Sequence, residues 1–220
     1  MSKPTTTIGV LGAGRVGTAL ARQALKAGYD VQIATARPPA EIALLVELLV
    51  PGARTVTAEA VARESDIVVL ALPLGKYRTL QAEALAGRVV IDAMNYWAPT
   101  DGTIAEFEDG AASSEVVQRH LPEARLVRTL NHIGYHELEE QGLPQGHPER
   151  QALALAGDDA EARRLVAGFI DRLGFDPVDA GALANAIKFD GGTPIFGGRL
   201  RRDEMLQVLG QAPVLEQAAG

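Results

Sequence analysis

The sequence predicts an α/β fold built on a doubly wound, mainly parallel sheet, with a small C-terminal α/β extension. Short β-branched runs alternate with amphipathic segments along the chain, which is typical of this class. A glycine-rich turn joins the first such run to the first amphipathic segment. The run Asp66–Leu72 is apolar on both faces, as expected of a strand buried inside a parallel sheet.

The strands are predicted from short apolar runs that turn residues bound on either side. In chain order they cover Thr6–Leu11, Val31–Ala34, Arg54–Thr57, Asp66–Leu72, Val89–Asp92, Arg125–Leu130, Gln151–Ala156 and Phe175–Asp179.

The helices are predicted from helical spacing of apolar residues together with start and stop signals. In chain order they cover Arg15–Ala27, a helix opened by Pro38-Pro39 and running to Leu49, a short helix from the cap Thr57 to Glu64, Tyr77–Ala86, a helix from the cap Ser114 to His120, Ala160–Leu173, and Arg202–Leu209. Gly28 and Gly174 stand where glycines commonly end a helix. The stretch Asn95–Ser113 is rich in turn residues and acids and is predicted to be a long loop with little regular structure.

The composition excludes several classes of function. The net charge is −7 and no basic patch stands out, so neither nucleic acid nor an anionic membrane is expected as a partner. The chain has no cysteine, which excludes disulfides, thiolate nucleophiles and cysteine-based metal sites. The longest apolar run, Ile42–Val50, contains Glu47 and is too short to span a bilayer. Met1–Thr7 does not read as a signal peptide, and a cytoplasmic location follows by default.

The segment Gly12-Ala13-Gly14-Arg15-Val16-Gly17 matches the pattern G-x-G-x-x-G. It follows a strand, opens a helix, and a second strand comes within one βαβ length, which is the context that the motif requires. The glycines then allow a tight turn, close approach to a pyrophosphate, and close packing of helix and strand. The alternative is a plain turn with incidental glycines. We expect a Rossmann-type domain over residues 1–130 and a C-terminal extension over residues 131–220 that closes the substrate side.

The residues after the second strand decide which dinucleotide is expected. An NAD enzyme usually has Asp or Glu about 20 residues after the turn. Here the segment is Ala34-Thr35-Ala36-Arg37, without an acid. Thr35 and Arg37 can hydrogen-bond a 2′-phosphate, which predicts NADP(H). The alternative is that Arg37 is a solvated side chain in a loop organised by Pro38-Pro39.

Four segments together resemble the F420-dependent NADP oxidoreductases, whose relatives include the reductase domains of the STEAP metalloreductases and, more distantly, pyrroline-5-carboxylate reductase. These segments are Ile8–Gly17, Thr35–Arg37, Asp66–Pro73 and Asp176–Gly181. The resemblance extends from Ile8 to about Phe196 and is more specific before Leu130. It implies a Rossmann domain that holds NADP, with a smaller C-terminal part closing over coenzyme F420 or a flavin-like partner.

The resemblance also implies roles for individual residues. The pyrophosphate would be held by Gly12, Ala13, Gly14, Arg15 and Val16, and the 2′-phosphate by Thr35 and Arg37. Leu72 and Pro73 would line the nicotinamide ribose. The family often has two consecutive basic residues after the small hydroxyl residue, and Ala36 stands at the first of these positions.

Polar residues follow two of the predicted strands, where open α/β sheets bind ligands. Asn95 can hold the nicotinamide carboxamide or a substrate oxygen, and Tyr96 and Trp97 can stack on a flat heterocycle. On the substrate side we expect Asn131, His132 and Tyr135. These lie in Asn131–His136, a segment that differs from the F420 reductases.

The histidines and one lysine have competing interpretations. His132 can donate a proton to the reduced product or hydrogen-bond its ring, or serve only the structure. His132 and His136 stand four residues apart, but Gly134 makes a helical metal site doubtful and no metal is expected. His120 and His147 are predicted at the surface. Lys188 could meet an acidic substrate tail or be solvated, and the loop Gly191–Gly198 is either a lid or a packing turn.

The leading hypothesis is therefore an NADPH-dependent oxidoreductase that exchanges hydride with F420 or a flavin-like acceptor. Hydride transfer depends on alignment more than on acid–base residues, so no catalytic residue is singled out. The alternatives are an NADP(H)-binding sensor without turnover and an imine or carbonyl reductase. A homodimer is expected only from base rates.

Overall fold

In the computed structural model, residues 6–108 and 110–210 are described. The strands are β1 (Thr7–Leu11), β2 (Asp30–Ala34), β3 (Arg54–Thr55), β4 (Ile67–Leu70), β5 (Val89–Asp92), β6 (Arg125–Arg128), β7 (Ala152–Leu155) and β8 (Asp176–Asp179). The α-helices are α1 (Arg15–Lys26), α2 (Pro39–Leu49), α3 (Ala58–Glu64), α4 (Ala82–Leu85), α5 (Ala98–Asp101), α6 (Ser113–His120), α7 (Tyr135–Glu140), α8 (Ala160–Leu173) and α9 (Arg202–Leu209). Three 3₁₀ helices cover Leu74–Thr79, Ala105–Phe107 and Leu183–Phe189.

Six strands form one parallel sheet in the order β3-β2-β1-β4-β5-β6. This is the Rossmann order, with the reversal between β1 and β4 that creates a ligand crevice at the carboxyl ends of the strands. Strands β7 and β8 form a second, parallel pair. The fold class predicted from the sequence is confirmed.

The two sheets meet at a single antiparallel bridge between Arg128, the last residue of β6, and Ala156, which follows β7. Each residue donates its backbone N–H to the other's carbonyl oxygen, at 2.8 and 3.0 Å. Helix α8 packs on β6, and its Phe169 shares one core with Ile8 of β1. The predicted division near Leu130 stays a prediction, since one core contains residues from both sides of it.

Most predicted helices end within two residues of the observed ends because their caps are local. Thr57 Oγ1 accepts a hydrogen bond from the Ala60 N–H at the start of α3, and Gly174 adopts a left-handed conformation after α8. Ser114 was expected to cap α6, and this is wrong: it lies inside the helix, and its hydroxyl donates to Asp92 at 2.6 Å. The Ala112 N–H at that helix start is satisfied by Glu115.

Two further predictions require correction. The single helix expected over Tyr77–Ala86 is instead the 3₁₀ helix Leu74–Thr79 followed by α4, because Leu80 is extended and interrupts it. The loop expected over Asn95–Ser113 contains α5 and a 3₁₀ helix, and the ring of Tyr96 stacks on Phe107 at 5.1 Å. Aromatic packing thus orders a segment whose composition indicated a loop.

Candidate functional site

The glycine turn between β1 and α1 brings backbone segments closer than any side chain would allow. Gly12 has φ +125°, and a Cβ there would lie 2.3 Å from the Ala71 carbonyl oxygen at the end of β4. A Cβ on Gly17 would lie 2.0 Å from the carbonyl oxygen of Gly12. A Cβ on Gly14 would meet nothing within 4 Å and would project into open space. The space beside Gly14 is therefore a cradle that glycine keeps clear.

The amino terminus of α1 opens into this cradle. Its first N–H groups have no acceptor within the helix, and Gly14 provides no side-chain cap. The first turn contains no acid, and Arg15 is exposed there. Backbone donors and the helix dipole thus favour an anion at this position. The arrangement fits the pyrophosphate of a dinucleotide.

A cavity of about 840 Å³ extends from this turn toward the end of β2. Its walls are the glycine turn, the segment after β2, the first turns of α2 and α3, and the segment after β4. Its volume is within the range of small-molecule sites, which is about 300–1,000 Å³. Gly12, Ala13, Gly14, Thr35, Arg37, Leu72 and Pro73, all predicted cofactor residues, line it.

The charged groups of the cavity are Arg37, Lys76 and Glu59. The backbone N–H of Arg37 donates to Thr35 Oγ1 at 3.1 Å, so the two predicted 2′-phosphate residues form one turn. Lys76 is exposed on the 3₁₀ helix after β4. Sequence reasoning missed it because the residues that usually select between NAD and NADP follow β2, not β4. Hydrogen bonds from its own backbone N–H and from Thr57 lower the pKa of Glu59, which stays ionised at the start of α3.

At the other end of the crevice, the Asn95 side chain is fixed by two partners. Its amide nitrogen donates to the Asn131 carbonyl oxygen at 2.7 Å, and its Oδ1 accepts from Arg128 Nη2 at 3.2 Å. One N–H and one lone pair remain on the carboxamide after these bonds.

Trp97 and Tyr96 follow β5 and differ in their surroundings. The Tyr96 hydroxyl contacts Ile104, Gly102 and Glu108, so this ring serves the local structure. Trp97 is 65% exposed, while its backbone N–H donates to Asp101 Oδ2 at 2.9 Å. Asp101 in turn accepts from the Gly75 N–H, which ties this loop to the segment after β4.

Arg128 lies at the centre of a buried polar network that sequence reasoning missed. It is 1% exposed and bridges Asp92 Oδ2 at 3.2 Å and Asp190 Oδ1 at 2.6 Å. It also donates to the Met94 carbonyl oxygen. The available signal was a charged residue at the end of each of two apolar strands, since Asp92 and Arg128 are register partners.

Asn131 and His132 are buried and do not open toward the crevice. The Asn131 amide donates to the Phe189 carbonyl oxygen at 2.9 Å, and its Oδ1 accepts from His132 Nδ1. His132 Nε2 accepts the Ala154 N–H at 3.1 Å, which places the ring proton on Nδ1. Burial, assisted by Arg128, lowers the pKa of His132 to about 3. A proton-donating His132 does not fit this geometry, whereas the structural alternative does.

Tyr135 is the predicted substrate residue that lies beside the glycine turn. Its hydroxyl accepts from Arg15 Nη1 at 3.4 Å, and the Arg15 guanidinium lies 5.9 Å from its ring centre. His136 is exposed next to it, and the described residues contain no group of three or more potential metal ligands. His120 is half-buried against the Leu80 carbonyl oxygen rather than at the surface.

Lys188 donates to the Leu209 carbonyl oxygen at 3.0 Å, which ties the 3₁₀ helix before the glycine-rich loop to the end of α9. It therefore has a protein partner and is not simply solvated.

Residues 7–96 match the model of the family described as NADP oxidoreductase, coenzyme F420-dependent. The matched segment contains the glycine turn, the Thr35–Arg37 turn and the end of β4. Over this segment the chain is similar to the F420-dependent NADP oxidoreductases. The family resemblance predicted from the sequence is confirmed by this match and by the similar proteins below.

A curated relative is the metalloreductase STEAP3 of Rattus norvegicus, 26% identical over 186 residues. The match includes 84% of this chain and 36% of the length of that relative. Within residues 6–108 and 110–210, no helix is both long and apolar enough to cross a membrane.

Two solved structures share the architecture over most of the chain. A hypothetical protein from Sinorhizobium meliloti is 28% identical with a TM-score of 0.76, covering 90% of this chain and 97% of that one. A candidate F420-dependent NADP reductase from Arthrobacter sp. FB24 is 27% identical with a TM-score of 0.69, covering 82% and 86%. Both similarities include the C-terminal extension, beyond the segment that the family model matches.

Proposed function

We propose that the protein is an NADPH-dependent oxidoreductase that exchanges hydride between NADP(H) and coenzyme F420 or a flavin-like acceptor. The observation that carries the proposal is the cradle at Gly14, continuous with a cavity that contains Arg37 and Lys76. The family match over residues 7–96 supports an NADP-dependent oxidoreductase.

The residues present fit NADP(H). In this proposal the amides of the α1 amino terminus and Arg15 hold the pyrophosphate. Thr35 and Arg37 bind the 2′-phosphate. Lys76 supplies the second cation, because position 36, where the family often has a basic residue, is Ala36 here. Leu72 and Pro73 line the nicotinamide ribose. Asn95 binds the nicotinamide carboxamide with its remaining N–H and lone pair.

When bound, the reduced dinucleotide supplies a hydride from its nicotinamide ring, and the acceptor takes that hydride together with a proton from solvent. The protein then contributes position and exclusion of water rather than an acid or base. This agrees with the buried Asn131 and His132, whose side chains are hydrogen-bonded to the protein and which we propose lie below the acceptor without touching it.

Trp97 supports a flat acceptor. Its side chain is 65% exposed, yet its backbone is held by Asp101 and, through it, by Gly75 beside the predicted nicotinamide-ribose residues. An exposed indole on a backbone held in place offers a stacking surface for a planar heterocycle. We infer that it contacts the acceptor ring.

The test is turnover with defined acceptors. Purified protein is mixed with NADPH and oxidised F420, FMN or a ferric chelate, and the nicotinamide absorbance is followed. Oxidation with F420 or FMN is the expected result. Tight NADPH binding without oxidation by any acceptor supports a sensor instead, and oxidation by cyclic imines or carbonyl compounds alone supports the imine or carbonyl reductase.

Two accompanying expectations stay predictions. These are a cytoplasmic location and a homodimer. Four leucines of α2 are 41–71% exposed and form an apolar stripe, namely Leu44, Leu45, Leu48 and Leu49. Sedimentation of the purified chain, with Leu44→Glu as the variant expected to shift any dimer to monomer, measures the second.

A further inference from the structure

Arg128 is more costly to bury than an apolar residue would be. A buried ion pair often contributes no more stability than well-packed apolar side chains of the same volume. Here the guanidinium is 1% exposed, Asp92 is 0% exposed, and Arg128 Nε has no hydrogen-bond partner among the described residues. Stability alone is therefore a weak reason for this arginine.

The place of the network is more informative than its energy. Arg128 and Asp92 end two neighbouring strands, at the edge of the sheet where open α/β folds bind ligands. Asp92 is held by the Ser114 hydroxyl at 2.6 Å and by the Met94 N–H at 3.0 Å. The carboxylate cannot turn away, so the guanidinium plane is fixed from the sheet side.

The other half of the guanidinium faces outward to two different parts of the chain. Nη2 contacts Asn95 Oδ1 at 3.2 Å and Asp190 Oδ1 at 2.6 Å. Asp190 comes from the C-terminal extension, directly before the 191–198 loop, and also accepts the Ser113 N–H and hydroxyl. One nitrogen atom thus joins the proposed nicotinamide contact to the start of the loop on the acceptor side.

The backbone beside Arg128 carries strain that serves the same arrangement. Leu130 has φ +64°, the one left-handed non-glycine residue in the described part of the chain. Such conformations cost about 1–3 kcal/mol and persist where surrounding contacts hold them. The turn at Leu130 precedes Asn131, whose carbonyl oxygen accepts from the Asn95 amide at 2.7 Å. Both ends of the Asn95 carboxamide are therefore set by the exit of β6.

We propose that Arg128 is a positioning residue that orients the Asn95 carboxamide for the nicotinamide end of the dinucleotide and fixes the 191–198 loop relative to it through Asp190. The inference rests on the proposed function, because it assumes that NADP(H) occupies the crevice. Lysine cannot replace this arginine, since a single ammonium group lacks the planar fork that bridges Asp92, Asp190 and Asn95 together.

The test compares two ligands in Arg128→Lys. Adenosine 2′,5′-bisphosphate has the adenosine and its phosphates but no nicotinamide, whereas NADPH has both ends. We expect NADPH affinity to fall about fivefold to tenfold, the loss of one or two hydrogen bonds, with affinity for the bisphosphate unchanged. Isothermal titration calorimetry measures both affinities for each variant and for the wild-type chain.

Arg150→Lys is the matched control. Arg150 is equally buried, at 2% exposure, and also bridges two carboxylates, Asp171 and Asp176, each at 2.8 Å. It does not contact Asn95, so this variant should lose comparable thermal stability while keeping the ratio of the two affinities. Should Arg128→Lys fail to fold, Asp190→Asn retains the shape of the network and should lower the NADPH-to-bisphosphate affinity ratio about threefold.

Each outcome decides between the claims. A wild-type chain that binds no NADPH overturns the proposed function and this role with it. If the wild-type chain binds NADPH but the folded Arg128→Lys variant keeps the wild-type ratio of NADPH to bisphosphate affinity, only the positioning role is overturned. The positioning role is also overturned if Arg150→Lys lowers the ratio of NADPH to bisphosphate affinity as much as Arg128→Lys does.

Discussion

The two ends of the crevice differ in what shapes them: backbone contacts at one end and side-chain contacts at the other. At the cradle, the shape follows from backbone that approaches too closely for a Cβ, at Gly12 and Gly17. At the carboxyl ends of β5 and β6, the shape follows from side chains far apart in sequence, such as Arg128 and Asp190. Close backbone contacts produce a local sequence pattern of glycines, whereas contacts between side chains distant in sequence produce almost no local pattern.

The strongest way to break this comparison is to fill the cradle. Gly14→Ala places a Cβ in open space, and Gly14 has φ −79°, which alanine tolerates. We expect thermal stability to be unchanged and NADPH affinity to fall about tenfold or more, since overpacking costs about 1–3 kcal/mol. Calorimetric titration and a melting curve measure the two effects.

The matched variant is Gly17→Ala, whose Cβ would lie 2.0 Å from the Gly12 carbonyl oxygen. It should lose both binding and stability, because the clash is with backbone and not with ligand. Full NADPH affinity in Gly14→Ala would show that the space beside it is not the pyrophosphate site.

The next largest effect sharpens the specificity of the adenosine end. Arg37→Ala should weaken NADPH binding about tenfold to a hundredfold and leave NADH nearly unchanged, because a charged hydrogen bond contributes about 1.5–3 kcal/mol. Lys76→Ala should give a smaller loss in the same direction, as its ammonium group is exposed and strongly hydrated. Equal losses for NADPH and NADH would contradict the assignment of both cations.

A smaller effect is expected at the acceptor end. Trp97→Ala should raise KM for the flat acceptor about threefold to tenfold while the affinity for NADPH stays constant, since aromatic stacking contributes about 0.5–1.5 kcal/mol. Steady-state kinetics with the acceptor varied measures the change, and Tyr96→Phe serves as the comparison. A KM that does not move would remove Trp97 from the acceptor site.

The smallest effect at neutral pH concerns His132. Because burial lowers the pKa of His132 to about 3, from about 6.5 in the unfolded chain, the unfolded state binds the proton first as pH falls. Its contribution to stability is complete above pH 6.5 and declines from there toward pH 3. His132→Gln should flatten the pH dependence of Tm in that window, whereas the exposed His136→Gln should not. No inflection from His132 is expected in the rate near neutrality.

The glycine turn was predictable from the sequence because Gly12 and Gly17 each answer a backbone requirement, and the pattern places Gly14 between them. It predicted β4 and α8 for similar local reasons, namely an unbroken apolar run and the stop at Gly174. The helix expected over Tyr77–Ala86 was wrong because two extended residues, Leu80 and Gln81, interrupt a helical pattern without any composition signal.

Side-chain roles at the other end were harder to predict for a physical reason. His132 stands in a polar segment beside a predicted ligand edge, which favours a functional role, but its partners come from Asn131 and from Ala154 of β7. The bonds that remove it from the crevice depend on how the second sheet docks. Periodicity within a segment contains no information about that docking.

The bridge between Arg128 and Ala156 also bears on how the molecule behaves in a crowded solution. Strand β6 would otherwise end the large sheet with open N–H and C=O groups, which can template pairing with another molecule. The turn after β7 occupies the carboxyl end of that edge, and the opposite edge, β3, is only two residues long. Neither edge of the sheet presents a long row of unpaired backbone N–H and C=O groups, which disfavours the addition of a strand from another molecule.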